Sequence, residues 1–339
     1  MSRLNLISLL FIPLLTQSVL AQNINNKSRP VYDAQLSGYD YGLQVNYFSI
    51  DSQRQSLKMA YIYLEGKSGK PVVTLMHGKN FNAHYWIPTA RYLNKKGYGV
   101  LIPDQIGFGK SSKPANYQYS FSALAHHTRD LMTSLKIQKS IVIGHSMGGM
   151  LASRFALMYP EMTTQLILVN PIGLENYLQY VEYKDTDFFY KKELAKTPEG
   201  IKRYQQKNYY AGQWNKQYEA LTHFMIGQIQ GLDKELIAWV NAQTYDMIFT
   251  QPVITEFKDL SIPVRLIIGT RDRTGPGRNW KKPGVNYELG RYDRLGKAAA
   301  ELIPDAKLYD LTDLGHLPHI EDFERFKNVL DKALDISVR

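Results

Sequence analysis

Residues 141–150 read IVIGHSMGGM. A short run of branched apolar residues ends at Gly144, Ser146 follows two positions later, and Gly148 follows the serine at the same distance. The run is typical of a buried strand, and apolar residues after the serine recur at helical spacing as far as Pro160. The stretch therefore predicts a strand, a sharp turn and a helix, with a strained serine at the apex and small neighbours around it. This is the G-x-S-x-G pattern of a nucleophile elbow, and a glycine-rich turn with an incidental serine is the alternative.

Further short apolar segments have the composition of strands, and most of them are followed by a helical pattern. The segments are GLQVNYFSI (42–50), LKMAYIYL (57–64), VVTLM (72–76), YGVLI (98–102), SIVI (140–143), QLILV (165–169), PVRLII (263–268) and AKLYDL (306–311). The first two alternate polar and apolar residues, which predicts a hairpin. The others alternate with helices, which predicts an α/β fold with a mostly parallel central sheet flanked by helices.

Residues 174–260 interrupt this alternation. They carry helix-like runs and many aromatic residues but no strand signal. We interpret them as a helical cap inserted between two strands of the sheet. An independent helical domain is the alternative, but strands resume directly after the segment. The predicted division is therefore a core of residues 39–173 and 261–339 with a cap of residues 174–260.

Residues 1–21 have the pattern of a signal peptide. Arg3 is the only charge before the apolar stretch, and Val19 and Ala21 are small residues where a cleavage site requires them. We therefore expect an exported protein, periplasmic or secreted, without stable membrane insertion after cleavage. An N-terminal membrane anchor is the alternative, but the stretch is short for a span. Residues 22–38 are expected to form an irregular lead-in.

The composition limits the chemistry of the 339-residue chain. It has no cysteine, which excludes thiol catalysis and cysteine-based metal sites. The net charge is +10, but the basic residues are scattered and no nucleic-acid motif accompanies them. The stretch GFGKSS (107–112) is not a P-loop, because Asp104 stands where that motif needs glycine. We expect a small-molecule substrate, no nucleic-acid partner, no metal and no cofactor.

A serine nucleophile needs a base, and the base needs an acid that orients it. His316 follows the last predicted strand and suits the order serine, acid, histidine, with His319 as the alternative. Asp272 directly follows PVRLII and is the predicted acid. Asp246 and Asp293 are alternatives that follow no predicted strand.

Attack on a carbonyl also requires N–H donors for the oxyanion. The N–H of Met147, directly after the serine, is one predicted donor. The N–H of Lys79, which comes after the strand VVTLM and the His-Gly turn that follows it, is the other. The ammonium of Lys79 would either face solvent or attract an anionic part of the substrate. The predicted substrate contacts are His145, Phe81, Trp214 and Tyr210.

From about residue 40 to 335 the chain resembles the α/β-hydrolase superfamily. The resemblance rests on HGKNF (77–81), PDQIGFGKSSKP (103–114), GHSMGG (144–149), GTRD (269–272) and LGH (314–316), all in the order of that family. It implies the α/β-hydrolase fold with an inserted helical cap over the serine. Epoxide hydrolases and haloalkane dehalogenases have an aspartate at the elbow, where this chain has Ser146.

Among capped hydrolases, the resemblance implies a carboxylic-ester hydrolase that works through an acyl-enzyme. Hydrolases that cleave carbon–carbon bonds usually have a stretch rich in glycine and proline after the His-Gly pair, where this chain has KNFNAHYW (79–86). Such a carbon–carbon bond hydrolase is one alternative. A non-catalytic binding protein on the same fold is the other, although a binder has no need of a serine, a base and an acid together.

Overall fold

The computed structural model describes residues 30–335 of the chain, so the predicted signal peptide and the first part of the lead-in lie outside the described residues. Within residues 30–335, eight strands form one sheet. The strands are β1 (Asn46–Ser52), β2 (Gln55–Leu64), β3 (Val72–Met76), β4 (Gly99–Pro103), β5 (Ser140–His145), β6 (Thr163–Val169), β7 (Val264–Gly269) and β8 (Ala306–Leu311).

The strand order in the sheet is β1-β2-β4-β3-β5-β6-β7-β8. β1 and β2 form an antiparallel hairpin, β2 pairs antiparallel with β4, and every pair from β4 to β8 is parallel. Ile143, for example, lies between Leu75 of β3 and Ile167 of β6, and all three are fully buried. Strands buried on both faces explain the continuous apolar runs of the sequence. The fold class predicted from the sequence is confirmed.

Helices of the core cover both faces of this sheet. They are α1 (Ile87–Lys95), α2 (Phe121–Ser134), α3 (Met147–Met158), α9 (Tyr292–Leu302), α10 (Pro318–Glu321) and α11 (Phe323–Leu334). Buried side chains of α2, α3 and α9 belong to one apolar cluster, and those of α1 and α11 belong to a second. The sheet therefore lies between two cores. No helix in the described part of the chain is both long enough and apolar enough to span a bilayer.

Between β6 and β7, the described chain forms helices and no strand of the sheet. They are α4 (Thr186–Leu194), α5 (Pro198–Asn208), α6 (Lys216–Ala220), α7 (His223–Gln230) and α8 (Lys234–Thr250). Asp185, Thr197 and Asn215 begin α4, α5 and α6, and each accepts a hydrogen bond from a backbone N–H of its helix. Phe189 of α4 stacks on Tyr245 of α8 with ring centroids 5.0 Å apart. This helical layer covers the end of the sheet where Ser146 lies.

The described part of the lead-in packs on the helical layer. The N–H of Tyr32 donates to the carbonyl of Gly227 at 3.1 Å, and the N–H of Ala34 donates to the carboxylate of Asp233 at 2.8 Å. On the core side, Lys110 Nζ donates to the carbonyl of Leu36 at 2.7 Å. The segment therefore connects α7 and α8 to the core.

The turn between β5 and α3 has a strained backbone. Ser146 has φ 58° and ψ −125°, a region that residues other than glycine rarely adopt. A Cβ on Gly144 would lie 2.2 Å from the carbonyl oxygen of Gly148, and a Cβ on Gly148 would lie 2.3 Å from that of Met76. These positions therefore require glycine on steric grounds.

We expect Gly144→Ala to lower the free energy of unfolding by about 2–4 kcal/mol, because two backbone segments must separate to admit the methyl group. Gly284→Ala is the comparison, since Gly284 has a positive φ of 77°, unlike Gly144, and has no atom within 4 Å of the added Cβ. Its expected cost is about 1 kcal/mol, from backbone strain alone. Urea denaturation measures both. A loss in Gly144→Ala no larger than that in Gly284→Ala would show that the turn relaxes around the methyl group and would contradict the prediction.

Candidate active site

Three side chains from separate strand ends meet at the carboxyl edge of the sheet. Ser146 follows β5, Asp272 follows β7 and His316 follows β8. His316 Nε2 lies 3.0 Å from Ser146 Oγ, and His316 Nδ1 lies 2.7 Å from Asp272 Oδ2. His316 and Asp272 are 1% exposed, and Ser146 is 6% exposed. The structure thus brings together all three residues predicted as nucleophile, base and acid.

The carboxylate of Asp272 is held by further donors. The N–H of Thr274 donates to Oδ1 at 2.7 Å, and Asn170 Nδ2 donates to Oδ2 at 3.1 Å. Burial alone would raise the pKa of this carboxyl, but the facing His316 ring and the Thr274 N–H outweigh burial and hold the pKa below its usual range. Asp272 is therefore ionised and oriented to accept the Nδ1 proton of His316, which leaves Nε2 to accept the proton of Ser146.

Asn170 is a site residue that the sequence interpretation missed. It follows β6, and its side chain bridges to β7, because Oδ1 accepts from the N–H of Gly269 at 2.7 Å and Nδ2 donates to the carbonyl of Gly269 at 3.1 Å. The same Nδ2 reaches Asp272. The available signal was a polar residue that directly follows the strand QLILV, at the edge of the sheet where the other site residues were predicted.

His145 lies beneath the site and does not line the substrate cavity, so its predicted role in substrate contact is corrected. Its ring is fully buried between Tyr85 and the backbone of His316, with Nδ1 2.9 Å from Tyr85 Oη and Nε2 2.7 Å from the carbonyl oxygen of His316. Burial, together with the rings of His316 and His319, holds the pKa of His145 well below its usual range. The ring is therefore neutral, and its Nε2–H donates to the carbonyl.

The alternative base and acids lie elsewhere. His319 stacks on Trp86 with centroids 4.5 Å apart, and burial, assisted by His316, lowers its pKa to about 3. Neither ring nitrogen of His319 has a hydrogen-bond partner among the described residues. Asp246 accepts from the hydroxyl of Tyr183 on the protein surface, and Asp293 pairs with arginine side chains. None of the three contacts Ser146 or replaces Asp272 beside His316.

The turn after β3 lies against the serine. A Cβ on Gly78 would lie 2.9 Å from the Cβ of Ser146, so only glycine admits this approach. The N–H of Gly78 donates to Tyr85 Oη at 2.9 Å, whereas the N–H of Lys79 donates to no acceptor within residues 30–335. Met147 is the first residue of α3, where N–H groups lack intrahelical acceptors. The oxyanion role of these two N–H groups stays a prediction.

A cavity of about 490 Å³ opens above Ser146 and His316. Its apolar wall comes mainly from the helical layer and the loop after β7, and includes Phe189, Tyr204, Tyr209, Tyr245, Phe249 and Trp280. Tyr209 stacks on the His316 ring with centroids 4.9 Å apart. This volume suits a small organic molecule. Across residues 30–335, no three His, Asp or Glu side chains are grouped as in a metal site.

The other three predicted substrate contacts do not line this cavity. Phe81 is 3% exposed and stacks on Tyr85, and it lines a much smaller neighbouring void. Tyr210 is buried against Tyr218 at a centroid distance of 3.7 Å, while Trp214 lines a separate surface groove. Tyr209 occupies the place predicted for Tyr210, because successive residues at the end of α5 project in different directions.

The side chain of Lys79 does not face solvent. It is 7% exposed, its Nζ donates to Asn241 Oδ1 at 3.0 Å, and the ammonium lies 4.6 Å from the ring centroid of Tyr245. Burial lowers the pKa of Lys79 to about 7, although Glu193 acts in the opposite direction. The side chain therefore lies in the wall of the cavity beside the serine.

Comparisons with known proteins agree with this geometry. A family model described as alpha/beta hydrolase fold matches residues 71–323. The structure of a probable hydrolytic enzyme from Pseudomonas aeruginosa PAO1 is similar, with a TM-score of 0.88 and 45% sequence identity. The superposition covers 91% of this chain and 99% of the chain of that enzyme. Epoxide hydrolase 4 of Mus musculus is 27% identical over 195 residues, which are 55% of this chain. The match spans about half (51%) of the length of that protein. Lipase 1 of Psychrobacter immobilis is 26% identical over 295 residues, 81% of this chain and 82% of the lipase.

We expect Lys79 to make stability depend on pH. Its pKa is about 7 in the folded protein, against an ordinary value of 10.5, so the unfolded chain binds more protons between these values. The free energy of unfolding of the wild type should therefore rise with pH in this window, relative to Lys79→Met, by on the order of 1 kcal/mol per pH unit. Urea denaturation across the window measures the difference. Lys139→Met, at an exposed position, is the control, and parallel curves for Lys79→Met and wild type would contradict the prediction.

Proposed function

The chain belongs to the alpha/beta hydrolase family, and we propose that it is an exported carboxylic-ester hydrolase that forms an acyl-enzyme on Ser146. The observation that carries the proposal is the continuous series of contacts from Ser146 Oγ through His316 to Asp272, at the floor of a cavity of about 490 Å³. A binding protein would not need these three groups in this order.

In the proposed mechanism, His316 Nε2 takes the proton of Ser146 as Oγ attacks the ester carbonyl. Asp272 stabilises the positive charge that forms on the imidazole, and the N–H groups of Lys79 and Met147 bind the oxyanion. His316 then gives its proton to the leaving alcohol. Water then attacks the acyl-enzyme as His316 takes its proton, and His316 returns this proton to Ser146 Oγ when the acyl bond breaks and the acid product leaves.

Ester hydrolysis is favoured over the other chemistries of the family for two reasons. An aspartate at the elbow would form an alkyl-enzyme, whereas Ser146 forms an acyl-enzyme. In addition, the similarity to Lipase 1 of Psychrobacter immobilis extends over 81% of this chain, whereas the similarity to mouse Epoxide hydrolase 4 extends over 55%. The proposal of export rests on the sequence of residues 1–21 alone, and mass spectrometry of the mature protein would test it by finding an N-terminus near Gln22.

We expect Ser146→Ala to lower kcat/KM for p-nitrophenyl esters by on the order of 10⁴–10⁶-fold, because no other group forms the acyl-enzyme. Esters of graded acyl length give the activity, and a fluorophosphonate probe shows whether Ser146 is labelled. Ser153→Ala is the control, since Ser153 lies on α3 and donates to the carbonyl of Gly149.

The same experiment separates the alternatives. If Ser146 is labelled but no ester is cleaved, the proposal of ester hydrolysis is refuted, and carbon–carbon bond hydrolysis becomes the favoured activity. A folded protein that is neither labelled nor active would be a binding protein.

Asp272→Asn should lower kcat by about 10⁴-fold, because the amide keeps the shape of the carboxylate but not the charge that orients and stabilises the imidazolium. Asp246→Asn is the matched control, because Asp246 bonds to Tyr183 on the surface of the helical layer. Steady-state kinetics on one ester compares the two variants. A larger loss in Asp246→Asn would place the acid in the helical layer and refute the assignment of Asp272.

A further inference from the structure

The walls of the cavity above Ser146 carry an excess of positive charge. Among residues 30–335, the lining includes five basic side chains and one acidic side chain. The basic residues are Lys79, Lys192, Lys196, Lys207 and Arg278, and the acidic residue is Glu193. Glu193 pairs with Lys196 at 2.7 Å and accepts from Asn241, which in turn accepts from Lys79. The single carboxylate is thus already occupied by Lys196 and Asn241.

Three of the cations form no ion pair with a described carboxylate, although the charge of Arg278 acts over a longer distance on buried Glu175. Within the described part of the chain, no carboxylate lies within 4.0 Å of Lys192, Lys207 or Arg278. Lys192 Nζ lies 4.4 Å from the ring centroid of Trp280, which is itself part of the cavity wall. The three come from α4, α5 and the loop after β7, so they line the cavity from three different elements.

A cleft lined by charges of one sign concentrates the electric field within it. Single exposed lysines contribute little to binding, but several around a cavity with aromatic walls raise the local concentration of an oppositely charged ligand. Lys192 and Lys207 each lie in the last turn of a helix, where a cation also interacts favourably with the helix dipole. Arg278 lies in a loop, so an interaction with a helix dipole does not explain its position.

We propose that the substrate is an ester with a second, negatively charged group, and that Lys192, Lys207 and Arg278 attract and bind this group. The nature of the reaction rests on the proposed function, whereas the preference for an anion rests on the charges of the cavity. The aromatic wall suits an apolar chain between the ester and the anion, and about 490 Å³ accommodates both.

The p-nitrophenyl monoester of glutaric acid and p-nitrophenyl pentanoate are suitable probes, because their acyl chains have the same length and differ in a terminal carboxylate or methyl group. After subtraction of the spontaneous rates, we expect kcat/KM of the wild type to be about tenfold higher for the anionic ester at low ionic strength. The preference should decrease as salt is added. Equal values at low salt, or a preference for the neutral ester, would overturn the proposal.

A combined variant removes the three charges. Lys192→Gln, Lys207→Gln and Arg278→Gln together should lower kcat/KM for the anionic ester by about tenfold and change that for the neutral ester by less than about twofold. The matched control is Lys67→Gln, Lys136→Gln and Lys139→Gln, which removes the same charge from exposed positions that precede β3 and β5, at the opposite edge of the sheet. An equal loss in the control would assign the preference to the overall charge of +10 and refute the local assignment.

Binding to the inactive Ser146→Ala protein separates this proposal from the proposed function. Calorimetry should detect binding of monomethyl glutarate to this variant and weaker or no binding of methyl pentanoate. This result is expected even if the wild type cleaves no ester. Failure of the anionic ligand to bind more tightly would overturn the charge preference and leave ester hydrolysis untouched. Glutarate and inorganic phosphate as competitors then distinguish a carboxylate from a phosphate group. Competition by either anion supports the proposal, and competition by neither counts against it.

Discussion

The backbone of Ser146 is the constraint on which the rest of the site depends. A positive φ in a residue with a side chain costs free energy, and it persists only where the surroundings leave no alternative. Here β5 lies at the centre of the sheet and α3 packs directly on it, so the ends of the turn are fixed by buried structure. Gly78, Gly144 and Gly148 let three backbone segments approach the apex. The packing of the core thus offsets the strain and presents Oγ to the cavity.

The same core connects the loops that carry the other groups. The N–H of Gly78 donates to Tyr85 Oη, this hydroxyl donates to His145 Nδ1, and His145 Nε2–H donates to the carbonyl of His316. The turn after β3 and the loop after β8 are therefore joined through one neutral, buried imidazole. On the other side, Asn170 connects β6 to β7 and to Asp272. The turn with the proposed oxyanion donor Lys79, the loop with the base and the strand end with the acid are thus connected by Tyr85, His145 and Asn170, none of which lines the substrate cavity.

The sequence predicts the parts of the site that depend on local structure. Ser146 could be assigned because a strand, a sharp turn and a helix are encoded within ten residues, and Asp272 and His316 because parallel strands end at one edge. The side chains of the helical layer that line the cavity could not be predicted from local sequence. Tyr209 and Tyr210 are adjacent and equally aromatic, and only the packing of α5 decides that Tyr209 lies on His316 and Tyr210 on Tyr218. The burial of Lys79 likewise depends on Asn241, 162 residues later in the chain.

These differences reflect a division between chemistry and recognition. The core holds the reacting groups through buried hydrogen bonds that tolerate little movement, whereas the helical layer and the loop after β7 provide exposed cations and aromatic rings. Under the proposed preference for an anion, a change of charge in those exposed side chains would alter which substrate binds while leaving the contacts among Ser146, His316 and Asp272 in place. Proteins that share this core can therefore act on different substrates, because the side chains that determine specificity are not required by the fold. In this chain, those side chains give the entrance a net positive charge, and the proposed anionic ester follows from that arrangement.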